Sequence, residues 1–255
     1  MTRGPAEMPF LDHLEELRWR LVWSLVALIV GCILGLIAVA ELDVLGIVEA
    51  PIRDLLPNQR LLYTSPTTPF FITLKLGFIV GLMLAFPFIA WQLWAFLSPA
   101  LHEHERRFAV PAIATGTLLF LGGVALAYFW VLPFGLEILL GFYSDALDPF
   151  ITIDEYLKFA TGLILAFGLI FEMPVILVFL SIVGIVTPEG LVKYRRHAIV
   201  GMAVISAFLT PQDPYTMLAM MVPLMILYES SIIAARTLRR RRERRLVAPS
   251  DGSAA

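Results

Sequence analysis

Three places along the chain put ionisable side chains where chemistry could follow. The stretch FLDHLEELRWRL (10–21) carries Asp12, His13, Glu15, Glu16, Arg18 and Arg20, and it runs straight into the apolar LVWSLVALIVGCILGLIAVA. The stretch WQLWAFLSPALHEHERR (91–107) opens on aromatics and closes on Glu103, Glu105, Arg106 and Arg107. Glu172 stands alone inside the fourth apolar run. Membrane borders ordinarily carry basic residues, so acids at two of them need a reason. A carboxylate can take a guanidinium through two parallel hydrogen bonds, whereas an ammonium is only a point charge. Two such acids with an aromatic rim would suit a ligand carrying paired cations followed by a hydrophobic segment, and they would separate Arg-Arg from Lys-Lys. A plainer reading stays open beside this one. Phe10, Leu14, Leu17 and Leu21 recur as one apolar helical stripe, with Asp12, Glu16 and Arg20 on the other face. Glu16 would then pair with Arg20 at i,i+4 for about 0.2–0.5 kcal/mol in an ordinary interfacial helix. Trp91, Trp94 and Phe96 would be an aromatic belt.

A carboxylate inside a span costs on the order of several kcal/mol unless it is neutral, paired or hydrated, which makes Glu172 a functional candidate. A bond from Glu172 to a neighbouring helix is the alternative. Covalent chemistry finds little support. Cys32 is the only cysteine, and the two histidines flanking Glu103 (His102 and His104) fall short of a ligand set. Gly-x-Ser-x-Gly, His-Glu-x-x-His and P-loop patterns are missing, so neither an enzyme nor a cofactor is expected.

The elements that must position these residues are membrane spans. Of 255 residues, 59% are hydrophobic and 16% charged, with a mean hydropathy of +0.82. That balance implies an all-α polytopic membrane protein. We expect one membrane domain over 1–235, with an amphipathic helix at 9–20. Six transmembrane helices follow, at about 21–40, 76–97, 108–134, 159–186, 197–210 and 214–230, the last two short. Pro87, Pro111, Pro174 and Pro223 lie within spans and predict kinks and a cupped bundle. Fifteen of the nineteen Lys and Arg fall on the side of the termini and four on the other, which predicts cytoplasmic termini. The basic stretch 236–255 reads as a disordered tail that touches anionic lipid. A proton-coupled carrier using Glu172 would want an internal repeat, and none is seen.

Six segments in order, FLDHLEELRWRL, SPTTPFFITLKL, WQLWAFLSPALHEHERR, FGLIFEMPV, GIVTPEGL and FLTPQDP, resemble the TatC family of the twin-arginine protein translocase. The likeness covers about residues 9 to 235. It implies a receptor in the plasma or inner membrane for twin-arginine signal peptides of precursor proteins. Small single-span partner subunits of the TatA/TatB type would work beside it, in an oligomeric complex driven by the proton gradient. Glu16 and Glu105 match the family's signal-binding acids and Phe96 its loop aromatic, with Gln92, Glu103 and Glu15 close by. Glu15 is a departure, an acid where the family form has an apolar residue. The resemblance places Glu172 toward partner subunits or the signal peptide's hydrophobic part. Pro51, Pro69 and Asp213 match family positions for which rigid turns and caps are sufficient roles.

Overall fold

A computed structural model of the chain describes residues 10–53, 55–56, 61–97, 109–141, 150–209 and 214–247. The described residues are almost wholly helical, as a lipid-facing chain requires, because a helix satisfies its own backbone polar groups. In order they are α1 (Phe10–Glu41), α2 (Val44–Arg53), α3 (Thr68–Leu97), α4 (Ala109–Leu126), a π segment (Ala127–Val131), α5 (Leu132–Gly141), α6 (Ile153–Ile170), α7 (Met173–Val183), α8 (Pro188–Lys193), α9 (Arg195–Leu209) and α10 (Pro214–Val247). Five stretches are long and apolar enough to cross a membrane: His13–Glu41, Thr68–Leu97, Val110–Gly141, Ile153–Val183 and Pro214–Arg239. With 15 residues, α9 falls short of that length. The final helix corrects an expectation. It is not short but runs for 34 residues, through the arginines assigned to the tail. Past Pro223 it meets neither glycine nor proline, and Ala234, Ala235 and the arginines are good helix formers.

The chain divides into two compact units. The first comprises Met1–Leu121 and Tyr143–Thr161. Its backbone is the antiparallel pair of α1 and α3, which meet through glycines. A Cβ on Gly35 would lie 2.7 Å from the Gly81 nitrogen, and one on Gly81 would lie 2.6 Å from the Cys32 Cα. A Cβ on Gly31 would sit 3.1 Å from that of Ala85, and one on Gly77 would sit 2.8 Å from Leu36 Cγ. Two Gly-x-x-x-Gly repeats, Gly31/Gly35 and Gly77/Gly81, thus face each other with backbones in contact, the arrangement that lets transmembrane helices associate without a hydrophobic drive. Farther along α3, Phe86 stacks on Phe120 of α4 with centroids 3.8 Å apart.

At the opposite end from the N-terminus, the segment between α1 and α3 is tied to the start of α6. The Tyr156 hydroxyl donates to the Val48 carbonyl at 2.5 Å, the Thr68 hydroxyl donates to Asp154 Oδ2 at 3.0 Å, and the Ile153 amide donates to the Leu62 carbonyl at 2.8 Å. Pro51 lies inside α2. Pro69 is the second residue of α3, where its missing N–H costs nothing, and its carbonyl accepts from the Thr73 hydroxyl at 3.0 Å.

The second unit comprises Gly122–Phe142 and Gly162–Ala255. Leu191, Met202, Leu224, Tyr228 and Ile232 form its buried cluster, with Met173 and Leu177 of α7 against them. The Tyr228 hydroxyl donates to the Leu191 carbonyl at 2.8 Å, and Ser206 donates to the Met217 carbonyl at 2.7 Å. At the surface Arg195 pairs with Glu229 at 2.7 Å and Arg239 with Glu189 at 2.6 Å. The π segment is a proline effect that the sequence reading did not foresee. Pro133 has no N–H for the carbonyl four residues back, so the turn before it widens and the Leu132 amide reaches the Ala127 carbonyl.

Candidate functional site

The glycine seam fixes the register of α1 on α3, and that register carries to the end holding the N-terminus. On α3, Gly77, Gly81, Ala85, Gln92 and Phe96 share one helical face; on α1, Gly35, Gly31, Ser24, Arg20, Glu16 and His13 share the face opposite. The result is a compact cluster. The imidazole of His13 stacks on Phe96, with centroids 4.6 Å apart and planes inclined by 13°. His13 Nδ1 lies 3.8 Å from Glu16 Oε2. Arg20 Nε donates to Glu16 Oε1 at 3.0 Å, and its Nη2 contacts the same oxygen. Glu16 Oε2 is buried and makes no hydrogen bond among the described residues.

The side of α1 that faces its neighbour is the reverse of what a soluble amphipathic helix would show. Leu14, Leu17 and Leu21 are exposed, while Glu16 and Arg20 are only half exposed, on the packed side. A helix entering lipid turns its leucines outward and keeps its charges against protein. Glu15 is exposed, so the two adjacent acids part company: only Glu16 lies against His13 and Arg20. Gln92 is half-buried one turn before Phe96. Glu103, Glu105 and Asp213 lie outside the described residues.

Glu172 occupies a break inside the fourth apolar stretch. α6 stops at Ile170 and α7 starts at Met173, with Glu172 as its N-cap and Pro174 in its first turn. The Glu172 amide bonds the Leu169 carbonyl at 3.1 Å, and the Glu172 carbonyl accepts from Ile176 at 3.0 Å. Its side chain makes no capping bond, and Oε1 is buried without a hydrogen-bond partner among the described residues. Nearby, α4 closes on this strip: a Cβ on Gly123 would lie 2.6 Å from the Phe167 carbonyl and 2.7 Å from the Phe171 ring.

Sequence reasoning passed over His13 as a site residue and treated Arg20 only as a pairing partner for Glu16. The i,i+3 and i,i+4 spacing of His13, Glu16 and Arg20 was the available signal, and the paired Gly-x-x-x-Gly repeats would have shown which face they occupy.

Long apolar helices, a Glu–Arg pair beside a histidine stacked on an aromatic at one helix end, and a lone acid in a helix break define a polytopic membrane protein with a polar cluster at one end of its helices. Comparison with known proteins agrees. The family described as Sec-independent protein translocase protein (TatC) matches residues 12–223. TatC of Aquifex aeolicus (strain VF5) is 39% identical over 238 residues, covering 92% of this chain and 98% of the relative. TatC of Escherichia coli (strain K12) is 38% identical over 229 residues, covering 89% of this chain and 88% of the relative. A crystal structure of the twin arginine translocase receptor TatC superposes with a TM-score of 0.79 at 40% identity, covering 89% of this chain and 100% of that one. A second, in the detergent DDM, gives 0.80 at 40% identity over 88% and 99%. The chain belongs to the TatC family.

Proposed function

We propose that this chain is the receptor subunit of a twin-arginine translocase, and that it grips the paired arginines of precursor signal peptides between Glu16 and Glu105. The observation that supports the reading is the Glu16 carboxylate, which holds the Arg20 guanidinium and lies near His13, whose ring stacks on Phe96 of α3. A side chain so placed can receive a ligand arginine by the same chemistry. Phe96 and Gln92 supply a wall for the ligand, and Glu15 and Glu103 add negative charge around it. The family comprises translocase components and not enzymes, and none of these roles needs covalent chemistry or a cofactor.

In this reading the short α9 and the long α10 are the fifth and sixth spans, and the excess of Lys and Arg in the terminal segments and the loops on their side supports both termini lying in the cytoplasm of a plasma or inner membrane. Small single-span partners of the TatA/TatB type pack beside the bundle in an oligomeric complex, with Glu172 a polar contact for a partner helix or for the signal peptide's apolar stretch. Transport of folded cargo draws on the proton gradient. Pro51 and Pro69 shape the external segment.

The test is binding of a labelled twin-arginine peptide to the purified protein in lipid nanodiscs. Charge-assisted hydrogen bonds contribute about 1.5–3 kcal/mol, so Glu16→Gln or Glu105→Gln should each weaken binding by about ten- to a hundredfold. Unchanged affinity in the double variant refutes the reading.

A further inference from the structure

We propose that the exposed flank of α9 is a binding site for an anionic phospholipid. Lys193 and Arg196, at the corner between α8 and α9, hold its phosphate, and one acyl chain lies along Val200, Val204 and Phe208.

The positive charge at that corner is left over after pairing. Glu189 is taken by Arg239 at 2.6 Å and Glu229 by Arg195 at 2.7 Å. Lys193 and Arg196 are exposed, and neither pairs with a carboxylate among the described residues. The Lys193 ammonium lies 5.9 Å from the centroid of the Tyr194 ring, which is itself 57% exposed. An exposed tyrosine beside cations suits the headgroup level of a bilayer. Two cations with no acid between them suit a phosphodiester that carries no cation of its own; a choline headgroup brings one and gains less. Apolar surface begins one turn farther on. Arg196, Val200, Val204 and Phe208 follow one another at four-residue steps, and the last three are 64%, 51% and 87% exposed. Beside them the surface at Gly201 is open, since a Cβ there meets nothing within 4 Å. From Arg196 to Phe208 the helix rises about 18 Å, close to the depth of one leaflet of a hydrocarbon core about 30 Å thick. A strip one leaflet deep and headed by cations has the proportions of a lipid, whereas a partner's transmembrane helix needs the full thickness. With 15 residues α9 is about 22 Å long, and a headgroup drawn down to its basic end fits that short span.

Native mass spectrometry of the full chain, purified in neutral detergent and given phosphatidylglycerol or phosphatidylcholine of matched acyl chains, counts the lipid retained. Phosphatidylglycerol should stay bound and phosphatidylcholine should be shed. Lys193→Gln with Arg196→Gln should weaken phosphatidylglycerol binding by about tenfold to thirtyfold, the scale of two charges at a membrane surface. The same loss of charge on the first unit, Arg18→Gln with Lys158→Gln, should leave binding as in the parent. Val200→Asn with Val204→Asn keeps the corner and spoils the strip, and should weaken binding by about threefold or more. Equal retention of the two lipids, or a corner variant that holds phosphatidylglycerol like the parent, overturns the proposal and leaves this flank to a partner helix. Inorganic phosphate that displaces the lipid at equal concentration, or strip variants with parental retention, would reduce the site to one for a free anion and equally refute a lipid occupant. Equal melting temperatures of the lipid-free variants exclude a folding effect.

Discussion

Gly35→Ala adds one methyl group at the place where the α1–α3 seam is tightest. The new carbon would come to rest 2.7 Å from the Gly81 nitrogen and closer still to the Gly77 carbonyl oxygen. A carbon beside a backbone oxygen normally stays about 3.3 Å or more away. The obstruction is main chain on a neighbouring helix, which cannot swing aside as a side chain would. The two axes must therefore part by roughly 1 Å, and the contacts over the whole seam loosen together, because a radial gap of about 0.5–1 Å already forfeits a quarter to a half of each contact's attraction. Overpacking of this kind costs about 1–3 kcal/mol in soluble cores; with backbone on both sides we expect the upper part of that range. Thermal unfolding in detergent, followed by tryptophan fluorescence, gives the readout. Gly122 and Gly201 are the controls, since a Cβ there meets nothing within 4 Å, and Gly→Ala at either should be neutral or slightly stabilising. A Gly35→Ala protein that melts at or above the parent temperature would show that the helices are not held at backbone contact.

The remaining expectations concern acids. Glu172→Ala should impair export of a twin-arginine reporter in cells while the protein still inserts and accumulates in the membrane; normal export would remove Glu172 from the mechanism. Burial pushes the Glu49 carboxyl above the usual carboxylate range, against the opposing pull of Arg53 at 3.7 Å. The folded chain thus holds that proton more tightly than the unfolded one, and the unfavourable contribution is present above the raised pKa and fades as pH falls through it. Glu49→Gln should therefore raise the melting temperature slightly at about pH 8 and lose that advantage toward about pH 4. The same difference at both values would assign the effect to packing.

Much of this architecture is legible because hydrophobic length is a strong signal. The runs beginning at Leu21, Leu76 and Phe108 read as spans without any tertiary information, and the structure places long apolar helices there. What escaped notice depends on neighbours. Composition says that Gly31 and Gly77 are small; only pairing says that each is small for the sake of the other helix. Proline positions were plain, but Pro133 produced a π turn and Pro174 a break at Phe171–Glu172, outcomes that the same residue type does not distinguish in sequence. The extent of α10 was missed because the polar stretch after Tyr228 was weighed for hydropathy and not for helix propensity. At the site, the apolar stripe of α1 was visible, but which stripe packs against protein depends on the solvent, and lipid reverses the usual answer.

That reversal has a kinetic side. Leu14, Leu17, Trp19, Leu21 and Trp23 all turn outward, so the helix that carries Glu16 presents an apolar face suited to acyl chains. On the proposed docking at Glu16, a leader whose apolar stretch dissolves in the bilayer is already confined to the layer that holds the site, and its search becomes two-dimensional. Partitioning and docking add as two linked weak attachments, so local enrichment can substitute for intrinsic tightness. Peptide affinities measured in micelles should accordingly understate capture at a membrane, and more so the greasier the leader.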